Sequence, residues 1–181
     1  MQNRQVAYRD LGRVAYAEAW ALQKALLQDV VDVKMAVRNG DADATPNYLL
    51  FCEHPPVFTL GKNGKPEHLL AHEAELLARG VEFYPIERGG DITFHGPGQL
   101  VGYPIFDLEN FFTDLHRYLR AIESAIITAL AHYGLKGDVI EGLTGVWVDT
   151  DTDHPRKIAA IGIKCSRWVT MHGFALNVNT D

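Results

Sequence analysis

One stretch near the middle of the chain constrains the fold more than any other: Arg88-Gly89-Gly90-Asp91-Ile92-Thr93-Phe94-His95-Gly96-Pro97-Gly98-Gln99, in which glycines, a proline, a histidine and an arginine crowd between two apolar runs. Glycine suits backbone that must come close to a ligand or take a positive φ, and it costs roughly 0.5–1 kcal/mol in regular structure, so its density here marks a loop built to approach something. Between the glycine pairs, Ile92 to His95 alternates like a short strand and would hold His95 beside the second turn. The bland alternative is a decorated hairpin. Val81 to Ile86 leads into the loop as a strand, and Leu100 to Phe106 leaves it as another.

The rest of the chain reads as an α+β domain with a mixed, mostly antiparallel sheet and two long helices. From Val14 to about Arg38, apolar residues recur every three or four positions (Ala15, Ala19, Leu22, Leu26, Val30, Val33, Val37), which predicts a long amphipathic helix ended by Asn39-Gly40-Asp41. Strands follow at Tyr48 to Cys52 and, past His54-Pro55-Pro56, at Val57 to Leu60. Pro66, then Leu69, Leu70, Ala74 and Leu77 with Gly80 beyond, predict a short helix. Thr113-Asp114 caps a second long helix to Tyr133, with Leu115, Leu119, Ile122, Ile126 and Leu130 on one face and Gly134 at its end. Short strands at Val139-Ile140, Thr144 to Val148, Lys157 to Lys164 and Trp168 to Val178 complete the pattern.

Composition bounds the function. The chain has 181 residues, 47% hydrophobic and 22% charged, which fits one soluble domain with a substantial core. A net charge of −6 argues against a nucleic-acid partner. No apolar run is long enough to span a bilayer and Met1-Gln2-Asn3-Arg4 opens no signal-peptide core, so the expected location is the cytoplasm, with no membrane partner. Cys52 and Cys165 are the only cysteines and read as free thiols, Cys52 as a core residue.

Other candidates are weaker. Gly61-Lys62-Asn63-Gly64-Lys65 lacks the spacing and the Ser/Thr of a phosphate-binding P-loop. His68 and His72 have zinc-compatible spacing but lack the glutamate of the protease motif, and a solvated helix face is the reading preferred. Lys157 stands at the mouth of the apolar run Ile158-Ala159-Ala160-Ile161-Gly162, where partial desolvation would suit it to proton exchange; a solvated strand-end lysine is the alternative. His172-Gly173 echoes His95-Gly96, and His172 reads as a structural residue.

The stretches Arg88 to Pro104, Lys157 to Gly162, Thr170 to Val178 and Glu53-His54-Pro55-Pro56-Val57-Phe58-Thr59-Leu60-Gly61 together resemble the lipoyl(octanoyl) transferase family, in order and over most of the chain. The resemblance implies the fold of the catalytic domains of biotin and lipoate protein ligases. It also implies transfer of an octanoyl group from acyl carrier protein to a lysine of lipoyl domains, those of the 2-oxoacid dehydrogenases and the glycine cleavage H protein, with no cofactor. Carried over by residue, Arg88, Gly89, Gly90, Asp91, Ile92, Thr93, Phe94 and His95 would line the acyl pocket. Ala160, Ile161, Gly162, Gly173, Phe174 and Ala175 would form its other walls, and Lys157 would be the lysine of the catalytic pair.

The family's nucleophilic cysteine lies shortly after the Ala-Leu-Asn-Val strand, and no residue up to Asp181 occupies that place, so the expectation is a single catalytic domain, residues 1–181, lacking its C-terminal segment. Cys165 shares parity with Lys157 on one strand, but eight residues at about 3.3 Å each separate them by roughly 26 Å, far beyond hydrogen-bond reach. Two rivals remain: an ATP-dependent lipoate or biotin ligase on the same fold, and a non-catalytic acyl-binding relative. Docking of acidic carrier and lipoyl domains would need local basic patches, for which Lys62, Lys65, Lys164 and Arg167 are the candidates.

Overall fold

The structure is a computed structural model and describes residues 2–180. Its centre is a six-stranded sheet in the order β1-β2-β6-β9-β8-β7, formed by β1 (Ala7–Arg13), β2 (Tyr48–Glu53), β6 (Gln99–Ile105), β9 (Val169–Asn177), β8 (Arg156–Ser166) and β7 (Val146–Val148). Only the β1/β2 pair in it is parallel. A second sheet, in the order β4-β3-β5, holds β3 (Val57–Leu60) between β4 (Glu82–Pro85) and β5 (Ile92–His95). The architecture is the α+β, mostly antiparallel one that the sequence predicts.

Helix α1 (Tyr16–Asn39) buries Ala19, Gln23, Leu26, Val30 and Lys34 at three- and four-residue intervals, and Gly40, with φ 84°, ends it by giving its N–H to Ala36 and Val37. This face packs on Leu50, Val101, Tyr103, Ile105, Met171 and Ala175 of the central strands. On the opposite face lies α3 (Leu115–His132), whose first turn is capped by the Asp114 carboxylate accepting from the Arg117 N–H. Its Tyr118, Ile122, Ile126 and Leu130 meet Val146 and Ala159. Helix α3 covers only part of that face. A trough of about 880 Å³, walled by Leu49, Phe51, Leu100, Pro104 and Phe174, stays open beside it.

Several elements differ from the sequence-based expectation. Strand β1 is an additional edge strand whose mostly exposed side chains give no apolar alternation to read. The helix after Pro66 is one 3₁₀ turn, Pro66–His68, then a short α2 (Glu73–Ala78). Leu70 and Leu77 are 92% and 81% exposed, so the apolar spacing there finds nothing to pack against, and a short helix without packing does not propagate. Val139-Ile140 is not a strand: Asp138 alone bridges Trp147, and the chain turns back at once with Leu143 N–H on Ile140 O. In β8, Ala159 pairs with Val146 and Lys157 with Trp147, leaving Ile158 as an extra residue. That bulge breaks the alternation, so parity does not relate Lys157 to Cys165.

Buried charge ties the elements together. Lys34 on α1 is 4% exposed and its ammonium contacts Asp107 at 2.7 Å and the Arg167 carbonyl at 2.9 Å. Asp107 also accepts from the Thr45 hydroxyl at 2.8 Å. Removing the lysine would leave a buried carboxylate uncompensated, which typically costs 3–5 kcal/mol. Lys34→Ala is therefore expected to lower unfolding free energy by about 3 kcal/mol in urea denaturation, whereas Arg38→Ala, at an exposed pair with Glu109, should change it by less than about 1 kcal/mol.

Candidate functional site

The glycine loop is pinned from three directions. Gly89 donates its N–H to Ile163 O at 2.9 Å, so the loop lies along the part of β8 that β7 leaves free. From the other side, Lys62 and Asn63 donate to Arg88 O and Gly90 O. The Arg88 side chain turns inward, is 7% exposed, and gives its guanidinium hydrogens to the Thr59 carbonyl at 2.8 Å, the Thr59 hydroxyl and Gly89 O. A Cβ at Gly61 would stand 2.3 Å from Gly90 O, and one at Gly162 would stand 2.7 Å from Gly89 O. Approach this close admits only glycine.

Beneath the loop is a small cavity of about 40 Å³, room for a few waters. Its floor is the β8/β9 ladder, where small residues face one another as Ala160↔Ala175 and Gly162↔Gly173. A Cβ at Gly173 would lie 2.2 Å from Gly102 O, so β6 and β9 also meet at glycine. Of the residues assigned to the pocket, Arg88, Thr93, His95, Ala160, Ile161, Gly162, Gly173, Phe174 and Ala175 line this cavity. Gly89, Gly90, Asp91, Ile92 and Phe94 do not. Phe94 turns outward onto Phe58 at 5.0 Å between ring centroids, and Asp91 binds His68 and the Ile92 N–H. The loop thus contributes mainly its two ends. Tyr16, Ile86, Val101, Tyr103 and His172 complete the wall. Of these, only His172 carried a signal in sequence, the repeated His-Gly pair.

A chain of polar contacts fixes the histidines. Gln99 directs its Nε2 hydrogens at two acceptors, Asn177 Oδ1 at 3.0 Å and Phe94 O at 3.4 Å, which leaves its Oε1 to accept from His95 Nδ1–H at 2.7 Å. His95 therefore carries its proton on Nδ1, and the Nε2 lone pair remains free. Asn177 in turn donates to Lys157 O at 3.5 Å, so the wall residue His95 is joined by side chains to the strand end bearing Lys157. On the far side, His54 gives Nδ1–H to Val14 O at 2.8 Å, and its Nε2 accepts from the Tyr103 hydroxyl at 2.7 Å.

Burial holds these groups neutral. It depresses His95 to about 4 despite the Gln99 contact, and depresses His172 to about 3 with help from the positive charge of Arg88. Burial pushes the Cys52 thiol up to about 12 and raises Cys165 as well.

Of the two readings of Lys157, the structure bears out the solvated strand-end lysine rather than the partly desolvated one. It is exposed, and its ammonium sits 4.7 Å from the Trp147 ring centroid rather than in the cavity wall. Strand β8 stays paired with β9 from Ala159 to Ser166, so it does not fold back, and Cys165 remains roughly 26 Å from Lys157 along it.

Residues 15–181 match the lipoyl protein ligase A/B catalytic domain. An octanoyltransferase of Flavobacterium johnsoniae is 57% identical over 180 residues, covering 99% of this chain and 78% of that protein. One of Cytophaga hutchinsonii is 56% identical over 183 residues, covering 99% and 75%. Among solved structures, the bi-partite lipoate protein ligase of Thermoplasma acidophilum has a TM-score of 0.65 at 18% identity, covering 98% of this chain and 64% of that one. A lipoate-protein ligase A bound with ATP has a TM-score of 0.61 at 17% identity, covering 98% and 67%. The mixed sheet with a glycine loop over a small-residue ladder is the lipoate-protein-ligase fold. By family match and by identity the chain belongs to the lipoyl protein ligase A/B catalytic domain family, on its octanoyltransferase branch, which makes it an acyltransferase by family.

The histidines set a pH dependence. Both cavity histidines have pKa values below the unfolded value of about 6.5, so between about pH 6.5 and 4 the unfolded chain binds more protons and stability falls as pH falls. Unfolding free energies from urea titrations across that interval should decline by up to about 3 kcal/mol per pH unit, about 1.4 for each histidine, and His95→Gln should flatten the slope.

Proposed function

We propose that the cavity is the acyl site of an octanoyl transfer reaction, from acyl carrier protein through a cysteine thioester to a lysine of a lipoyl domain, in the 2-oxoacid dehydrogenases and the glycine cleavage H protein. The observation that carries this reading is the convergence of the ends of the Arg88-to-His95 loop with Ala160 to Gly162 and Gly173 to Ala175 on one cavity, in a chain whose high-identity relatives are octanoyltransferases. At about 40 Å³ the cavity must widen to admit an acyl chain, and the glycine loop over it is held by backbone hydrogen bonds and by the buried Arg88 guanidinium.

In the reaction proposed, a cysteine thiolate attacks the carbonyl of the carrier-bound octanoyl thioester and the carrier's thiol leaves, giving an octanoyl-enzyme thioester. A neutral lysine amine of the lipoyl domain then attacks that thioester, forming the amide, expelling the cysteine as its thiolate and shedding one proton. The family's pattern gives Lys157 two services in this reading: as an ammonium it would favour the thiolate, and as an amine it would accept the proton of the attacking lysine. The donor is already a thioester, so no nucleotide enters the balance. Neither Cys52, buried with a raised pKa, nor Cys165, distant from Lys157, suits the nucleophile's part. The family's pattern assigns that part to a position after β9, outside residues 2–180.

Two measurements test this. Calorimetry should show saturable octanoate binding. After incubation with octanoyl-acyl carrier protein, intact mass should show no octanoyl adduct on Cys52 or Cys165. Failure to bind octanoate would overturn the reading, and an adduct lost in Cys165→Ser would reassign the nucleophile. Acyl activation that requires ATP and releases pyrophosphate would replace transfer by ligation. Recognition of the acidic carrier is assigned to Lys62, Lys65, Lys164 and Arg167. Lys164 pairs with Glu87, whose carboxyl also feels Lys62, so these two cations gather beside the loop. Lys62→Glu with Lys65→Glu should slow association with octanoyl-acyl carrier protein by roughly tenfold at low salt and flatten its salt dependence in stopped-flow measurements.

A further inference from the structure

Resting on the acyl-site reading, we infer that His172 is the residue that sets the length of the acyl chain the cavity accepts. Along β8 and β9 the pairs run Ala160↔Ala175, Ile161↔Phe174, Gly162↔Gly173, then Ile163↔His172, with Lys157 before the first pair; of these only Lys157 and Ile163 do not line the cavity. A chain entering from the Lys157 end passes the apolar Ala160, Ala175, Ile161 and Phe174 and the bare Gly162 and Gly173, and meets its first polar side chain along β9 at His172. Three residues of strand separate Ala175 from His172, roughly 10 Å, which is about the length of an extended octanoyl group.

His172 is built as a fixed stop. It is 2% exposed, and its backbone holds φ 59° inside a strand, a left-handed conformation that costs a non-glycine residue roughly 1–2 kcal/mol. Its backbone N–H is held by Gln23 Oε1 of α1 at 2.9 Å, which fixes the backbone from which the ring projects. Its Nε2 has no hydrogen-bond partner among the described residues, while the residue lines the cavity. A chain longer than octanoyl would clash with the ring and also press methylenes against an unsatisfied polar nitrogen, a second penalty on length. Strain retained at a cavity wall is the usual mark of a functional constraint.

The test compares octanoate, decanoate and dodecanoate binding by calorimetry in the native chain, His172→Gly and His172→Asn. Glycine accepts φ 59° freely and asparagine tolerates it, so both variants fit the backbone. The native chain should bind octanoate best. In His172→Gly the ratio of decanoate to octanoate affinity should rise by roughly tenfold, since each added buried methylene is worth about fourfold, and His172→Asn should give a smaller shift in the same direction. An unchanged ratio in variants that still bind octanoate would overturn the inference, as would an equal loss of affinity for all three chains. Failure of the native chain to bind any of them would overturn the acyl-site reading and this inference with it.

Discussion

The site depends on how closely the Arg88-to-Gly90 backbone approaches the free edge of β8. One hydrogen bond, Gly89 N–H to Ile163 O, extends the central sheet sideways with a loop in place of a strand. The approach is possible because Gly61 and Gly162 present no Cβ to it, and it is held because the buried guanidinium of Arg88 is shared between Thr59 and Gly89. Apart from that one buried side chain, the loop meets its neighbours through backbone hydrogen bonds and bare glycine.

A second dependence is polar. His95, Gln99, Asn177 and the Lys157 carbonyl form one line across β6, β9 and β8, and His54 and Tyr103 form another beneath α1. Each buried donor in these lines meets an acceptor, so an otherwise apolar core has defined ring orientations. The cavity wall and the strand end that carries the exposed lysine are in this way parts of one framework.

Much of this was legible in the sequence because it rests on local chemistry. Helices α1 and α3 follow from apolar periodicity and caps, and the loop's glycines follow from close approach. The small residues of the cavity floor came from resemblance rather than from periodicity. What escaped notice depends on tertiary context. Tyr16 reaches the cavity from the first turn of a helix nearly ninety residues ahead of Tyr103, and no local pattern marks it. Phe94 points outward because β5 pairs with β3 and leaves its ring against Phe58. The bulge at Ile158 makes counting by twos fail between Lys157 and Cys165, and the leucines at 70 and 77 keep a helical spacing with nothing to bury it.

The open trough beside α3 has a consequence for how the chain behaves at working concentrations. Its walls are the half-buried Leu49, Phe51, Leu100 and Phe174 beside the buried Pro104, an apolar trough of the kind that marks an interaction surface. Attraction between such faces carries the heat-capacity signature of hydrophobic contact: it strengthens in sulfate and weakens on cooling. Association through this face would then be favoured by sulfate and reduced by cooling, in the same sense in which salt screens the repulsion of a net charge of −6.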